Sequence, residues 1–141
     1  MSRTALPPGT EEELIRILVR CRAQVFGRNV PLAREVRSHG SARADLCLLR
    51  AGELISIEAK LLDGHRAIGQ ALLNTYFADR SYIAVWHQVV TRSLISTALQ
   101  WGVGVLAVER SKLSVASVAP VARPNVDLRD RVLRATFLRQ P

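Results

Sequence analysis

Apolar positions along the chain recur with two periods, one helical and one extended. The stretch EEELIRILVRCRAQVF sets Leu14, Ile15, Leu18 and Cys21 at helical spacing behind three acids in its first turn. Thr10 with Glu13 three residues on forms a capping box, so the pattern predicts a helix over about 11–25. LAREVR predicts a short strand before the loop SHGSA. ADLCLLR and ELISIEAK then alternate as two strands joined at Ala51-Gly52, the pattern of a hairpin. HRAIGQALLNTYFAD has apolar residues at 68, 71, 72 and 76 and predicts a helix despite Gly69. SYIAVWHQVV contains a buried strand, RSLISTALQW a helix, GVGVLAVE a strand and KLSVASVA a last strand. Beyond Pro120 and Pro124, NVDLRDRVLRATFLRQ has apolar residues at 128, 132 and 137 and predicts a basic amphipathic helix.

Strands separated by helical crossovers must run parallel, whereas the early hairpin is antiparallel. The predicted class is therefore α/β, a mixed central sheet flanked by helices. At 141 residues and 48% hydrophobic, the chain has apolar surface for one core, so a single compact domain is expected. Within it we expect a core over 1–119 and a basic C-terminal helical tail over 120–141. Cys21 and Cys47 form no CxxC or Cys/His pattern, which argues against a disulfide framework or a structural zinc site. No apolar stretch nears bilayer-spanning length, and MSRTALPPGTEEE lacks the apolar middle of a signal peptide, so the default expectation is cytoplasmic.

Charge adds the first functional direction. The net charge is +8, and such a surface favours polyanions, of which nucleic acid is the commonest. Of the 20 basic residues 18 are arginine, which leaves Lys60 and Lys112 as the only lysines. Arginine-rich coding accounts for the general bias, but it also singles out Lys60, a compact point charge that can sit beside a carboxylate and a metal-bound water, where arginine is a rigid fork.

Strand alternation places that lysine. In ISIEAK, Ile55, Ile57 and Ala59 share one face, so Ser56, Glu58 and Lys60 share the other. The hairpin turn brings Asp45 of the partner strand toward the later part of this one. Two carboxylates at close range repel unless a cation is present, and a set of hard oxygen ligands suits Mg2+ or Mn2+. Such a site polarises a phosphoryl oxygen and acidifies water, and a neighbouring lysine orients that water or stabilises developing charge.

Asp45, a gap of twelve residues, then Glu58-Ala59-Lys60 resembles the D…(D/E)xK signature of the PD-(D/E)XK nuclease superfamily, whose fold is restriction-endonuclease-like. The resemblance covers about 10–108. It implies a glutamate on the first helix, for which Glu11, Glu12 and Glu13 compete, and a glutamine on the helix after ExK, for which Gln70 stands. Glu11 is favoured because it shares a face with Leu14, Ile15 and Leu18. GTEEELIRIL followed by GSARADL resembles the Holliday-junction-resolvase-like branch. Ala44 replaces the proline of the nominal motif, and Gln70, followed by Asn74 and Tyr76, does not match the QxxxY motif of RecB-like exonucleases.

The resemblance implies a metal-dependent nuclease acting on DNA, with Asp45 and Glu58 as metal ligands, Lys60 serving the attacking water, and Glu11 and Gln70 assisting. Arg34, Arg37, Arg43 and Arg66 flank these positions and are expected to bind phosphates, which positions a strand rather than reading its sequence. A homodimer or an associated protein partner is compatible with cutting a duplex. The alternative is a non-catalytic nucleic-acid-binding or assembly module on the same fold. His39, His65 and His87 lack metal-ligand spacing and are expected in loops or at the surface, and Trp86 and Trp101 are expected in the core.

Overall fold

The computed structural model describes residues 6–40 and 42–138. Helix α1 (Glu11–Cys21) is capped by the Thr10 hydroxyl, which accepts from the Glu13 N–H, while the Glu13 carboxylate reaches back to the Gly9 N–H. The expected helix over 11–25 breaks at Arg22, and α2 (Ala23–Phe26) follows as a single turn ended by Gly27 at φ 90°. The break turns Phe26 into the core, where it meets Tyr82 edge to face with ring centroids 6.0 Å apart.

Six strands then form one sheet in sequence order: β1 (Leu32–Arg37), β2 (Arg43–Arg50), β3 (Glu53–Lys60), β4 (Arg80–Trp86), β5 (Gly104–Glu109) and β6 (Lys112–Ser117). β1, β2 and β3 pair antiparallel, β3, β4 and β5 pair parallel, and β6 returns antiparallel. The parallel connections are α3 (Gly64–Asn74) and α4 (Arg92–Gln100), the latter preceded by a 3-10 turn at His87–Val89. Two successive crossovers of one hand lie on one face of a sheet. Accordingly, α3 and α4 share a cluster in which Ala67, Ile68, Ala71, Leu94 and Ala98 meet Ile83, Val85 and Val105. On the other face, Leu14, Ile15, Ile17 and Leu18 of α1 pack on Ile55, Ile57, Ala59, Tyr82, Ala84 and Trp86.

The last helix, α5 (Val126–Thr136), buries Val132 in a third cluster with Val36, Cys47, Leu54, Phe77 and Ala78. Arg129 ties it down, donating to both Asp79 carboxylate oxygens and to the Gly52 carbonyl at 2.8 Å. The helix expected to run through Asp79 ends at Asn74. The buried stripe of Ala67 and Ala71 ends on the polar but buried Asn74 and leaves Tyr76 exposed. Trp86 is buried as expected, but Trp101, past the end of α4, is half exposed.

The β2–β3 hairpin closes through Ala51 and Gly52, both at positive φ (48° and 80°), with Arg50 opposite Glu53. A two-residue loop of this kind matches the twist of the strands but disfavours a Cβ at its first position. Ala51→Asn is expected to stabilise the protein by about 0.5–1 kcal/mol, read as a rise in denaturant midpoint at unchanged slope. A fall in midpoint would show that the turn is not strained there.

Candidate active site

The site lies where β2 and β3 run side by side, close to the C-terminal end of β3. Leu46 is opposite Ile57, so the register carries Asp45 to Glu58 on the neighbouring strand. Alternation does the rest. Ile57 and Ala59 turn into the α1 side of the core, and Glu58 turns to the side covered by α3, where it shares a cleft with Gln70.

Asp45 is held by the backbone: its Oδ2 accepts from the Ala59 N–H at 2.8 Å. Glu58 is 8% exposed, and its Oε1 is buried with no hydrogen-bond partner. Burial, then the charge of Asp45, push the Glu58 carboxyl up to about 8, against a smaller opposing pull from Lys60 and Arg43. Burial also raises Asp45, opposed chiefly by the Ala59 N–H and by the neighbouring Glu58 carboxyl. The two groups therefore titrate as one pair that retains a proton near neutrality, because two adjacent charges in a poorly hydrated place cost too much. A buried polar atom without a partner and a carboxylate pair that cannot fully ionise mark a place where electrostatic preference has been set aside.

Lys60, the last residue of β3, brings its Nζ to 3.5 Å from Glu11 Oε2, and the same oxygen lies 3.5 Å from the Leu61 N–H. The first turn of α1 thus meets the end of β3. The other two helix acids face elsewhere. Glu12 engages Arg34 and Arg16, and Glu13 engages Arg110, whose guanidinium also lies over the Trp86 ring. Each of these arginines holds its glutamate below the usual carboxylate range.

Gln70 projects from α3 across the cleft and donates to the Arg43 carbonyl at 3.0 Å. The cleft has a volume of about 290 Å³ and is lined by Arg37, Gly40, Ala42, Arg43, Glu58 and Gln70. Of the arginines expected beside the site, Arg37 and Arg43 line this cleft, Arg34 is engaged by Glu12, and Arg66 is exposed in the first turn of α3. His39 is half-buried, its Nδ1 2.7 Å from the Ser38 hydroxyl and its ring edge to face with Tyr76. It fixes the β1–β2 loop that forms one wall, a role that histidine spacing does not reveal. His65 is exposed and His87 half-buried in the 3-10 turn. Beneath α3 the polar pattern continues. Ser56 and Ser81, paired across β3 and β4, are both buried and share a hydrogen bond of 2.8 Å.

No family model and no curated protein matches the chain. Among solved structures, it is similar to a protein of unknown function from Silicibacter pomeroyi, with TM-score 0.68 and 19% identity over 94% of this chain and 87% of that one. It is also similar to a repair endonuclease from Pyrococcus abyssi, with TM-score 0.54 and 14% identity over 75% of this chain, which spans half of that protein's length. The mixed six-stranded sheet with helices on both faces is therefore an architecture that this chain shares with both proteins. Among the described residues no helix is long and apolar enough to cross a membrane.

Proposed function

We propose that this chain is a divalent-metal-dependent nuclease that hydrolyses phosphodiester bonds in DNA, in the PD-(D/E)XK manner and nearest in pattern to the resolvase-like branch. The observation that supports it best is the juxtaposition of Asp45 and the buried Glu58 on paired strands, with Glu58 two residues along β3 from Lys60. The fold shared with the repair endonuclease agrees with it.

The residues present fit a small hard cation. Among the described residues no group of three or more His, Cys, Asp and Glu side chains gathers, so the donor set is the two carboxylates. That suits Mg2+ or Mn2+, which are commonly held by one or two carboxylates, with water and substrate phosphate oxygens completing the shell. Glu58 Oε1, buried without a partner, is the oxygen such an ion would satisfy. When held by Asp45 and Glu58, the ion supplies electrostatic stabilisation of the phosphoryl oxygens and makes water a stronger acid.

The chain's own residues do the rest. The Ala59 N–H fixes Asp45 Oδ2, so one carboxylate is set before substrate arrives. Lys60 presents its ammonium to the attacking water and to charge that builds on the phosphoryl oxygens, and Glu11 holds that ammonium in place. Hydrolysis forms a bond from the water oxygen to phosphorus as the bond to the leaving sugar oxygen breaks, in line with it. Gln70 acts at one remove, since its bond to the Arg43 carbonyl holds the cleft wall against α3.

Purified protein incubated with single-stranded, duplex and branched DNA and with RNA is expected to cleave DNA only when Mg2+ or Mn2+ is supplied. Salt-sensitive binding with no cleavage of any substrate in either metal would instead favour a nucleic-acid-binding module.

A further inference from the structure

Arg37 and Arg43 are directly opposite one another across the last rung of β1 and β2. Like charges in that position destabilise an antiparallel pair. Yet neither arginine has an ion-pair partner among the described residues, whereas Arg34, three residues earlier on β1, is engaged by Glu12. Both line the cleft with Glu58, and the charge of Arg43 is near enough to lower both Asp45 and Glu58.

The backbone that carries them is braced. Gln70 holds the Arg43 carbonyl, Ser38 and Ala42 close the loop through an N–H to carbonyl bond of 3.1 Å, and His39 rests against Tyr76. Gly40, at φ 52° and facing the cleft, makes the turn that returns the chain. Two guanidinium forks at the end of one strand pair, without ion-pair partners among the described residues and lining one cleft, suit the tetrahedral oxygens of a phosphate.

From this we infer that Arg37 and Arg43 form a phosphate clamp, which grips one phosphate of the substrate strand beside the one that is cut. The inference rests on the nuclease reading for the identity of the strand, but not for the clamp itself. Because both arginines hold one phosphate, loss of either releases most of the grip. A simpler role, neutralising the acid pair, would need Arg43 alone and would leave the salt dependence of binding untouched.

The test uses the full chain carrying Asp45→Asn, which prevents turnover, and a short single-stranded DNA followed by fluorescence anisotropy over a KCl series. Adding Arg37→Gln or Arg43→Gln is expected to weaken binding about 5–10-fold and to reduce the slope of log K against log salt by roughly 0.7, the value for one phosphate contact on a single strand. The two changes together are expected to cost little more than either alone, and Arg131→Gln on the exposed face of α5 is expected to change the affinity far less. Inorganic phosphate at millimolar concentration separates a clamp that accepts any phosphate from one that needs the strand. Competition lost in Arg37→Gln supports the first and no competition the second, and both retain the clamp. Unchanged slopes, or strictly additive losses matched by Arg131→Gln, would overturn it. Arginine-dependent binding, with no cleavage by the parent chain that retains Asp45, would remove the nuclease reading and leave the clamp. Cleavage by that parent chain, with unaltered binding in both arginine variants, would do the reverse.

Discussion

Lys60→Ala is expected to lower the rate of DNA hydrolysis by about 10²–10⁴, the range for removing a group that serves proton transfer or developing charge. The fold should survive it. The Lys60 side chain is about one-third exposed, and its contact with Glu11 is a long, half-solvated ion pair of 3.5 Å, the kind that contributes little to stability. Far-UV circular dichroism and the thermal midpoint should therefore match the parent while single-turnover cleavage falls. Lys60→Arg is not expected to restore the rate, because a planar fork cannot occupy the place of a compact ammonium at the end of β3. Glu11→Gln should give a smaller loss, expressed as a slower rate with little change in substrate affinity, since Glu11 places the lysine rather than contacting the phosphate. Full activity in Lys60→Ala would remove this residue from the chemistry and with it the strongest link between the ExK triplet and catalysis.

The triplet was readable because alternation along a strand is strictly local. Once ISIEAK was a strand, Glu58 and Lys60 had to share a side, and the Ala51-Gly52 turn fixed where Asp45 would arrive. Thr10 and Glu13 announced the start of α1 in the same local way. What remained illegible depended on contacts between distant segments. Three consecutive glutamates all suit a helix N-terminus, and only the packing of α1 against the end of β3 sends Glu11 to Lys60 while Glu12 and Glu13 go to arginines. The same applies to Arg34 and Arg37. Three residues apart on β1, with Glu35 at φ 52° between them, they have quite different surroundings, a difference no periodicity encodes. The early end of α3 and the exposure of Trp101 follow from where each helix runs out of sheet to cover. Arg129 is one of several arginines in the basic C-terminal segment, and only its contact with Asp79 marks it as the anchor of α5.

Glu58→Gln is expected to abolish cleavage and, at alkaline pH, to make the protein more stable. The Glu58 carboxyl rises from an ordinary value of 4.5 to about 8, so between these limits the folded protein binds more protons than the unfolded chain. Stability contributed by the protonated pair is then complete below about 4.5 and is lost as pH climbs through 8. At pH 9 the wild type holds two charges in a place that disfavours them, and glutamine removes one. Allowing for the water that reaches the pair, the gain should be about 2 kcal/mol at pH 9 and should fade toward pH 4.5. Thermal midpoints of both proteins across that range check the sign. A divalent cation supplies the same relief by another route, because it binds the folded pair in its charged form. Mg2+ or Mn2+ at about one hundred times its dissociation constant is expected to stabilise the wild type by about 2.7 kcal/mol and Glu58→Gln by much less. Equal pH profiles in the two proteins, with equal responses to the cation, would mean that Glu58 is not held as an acid under strain and that the ion is bound elsewhere.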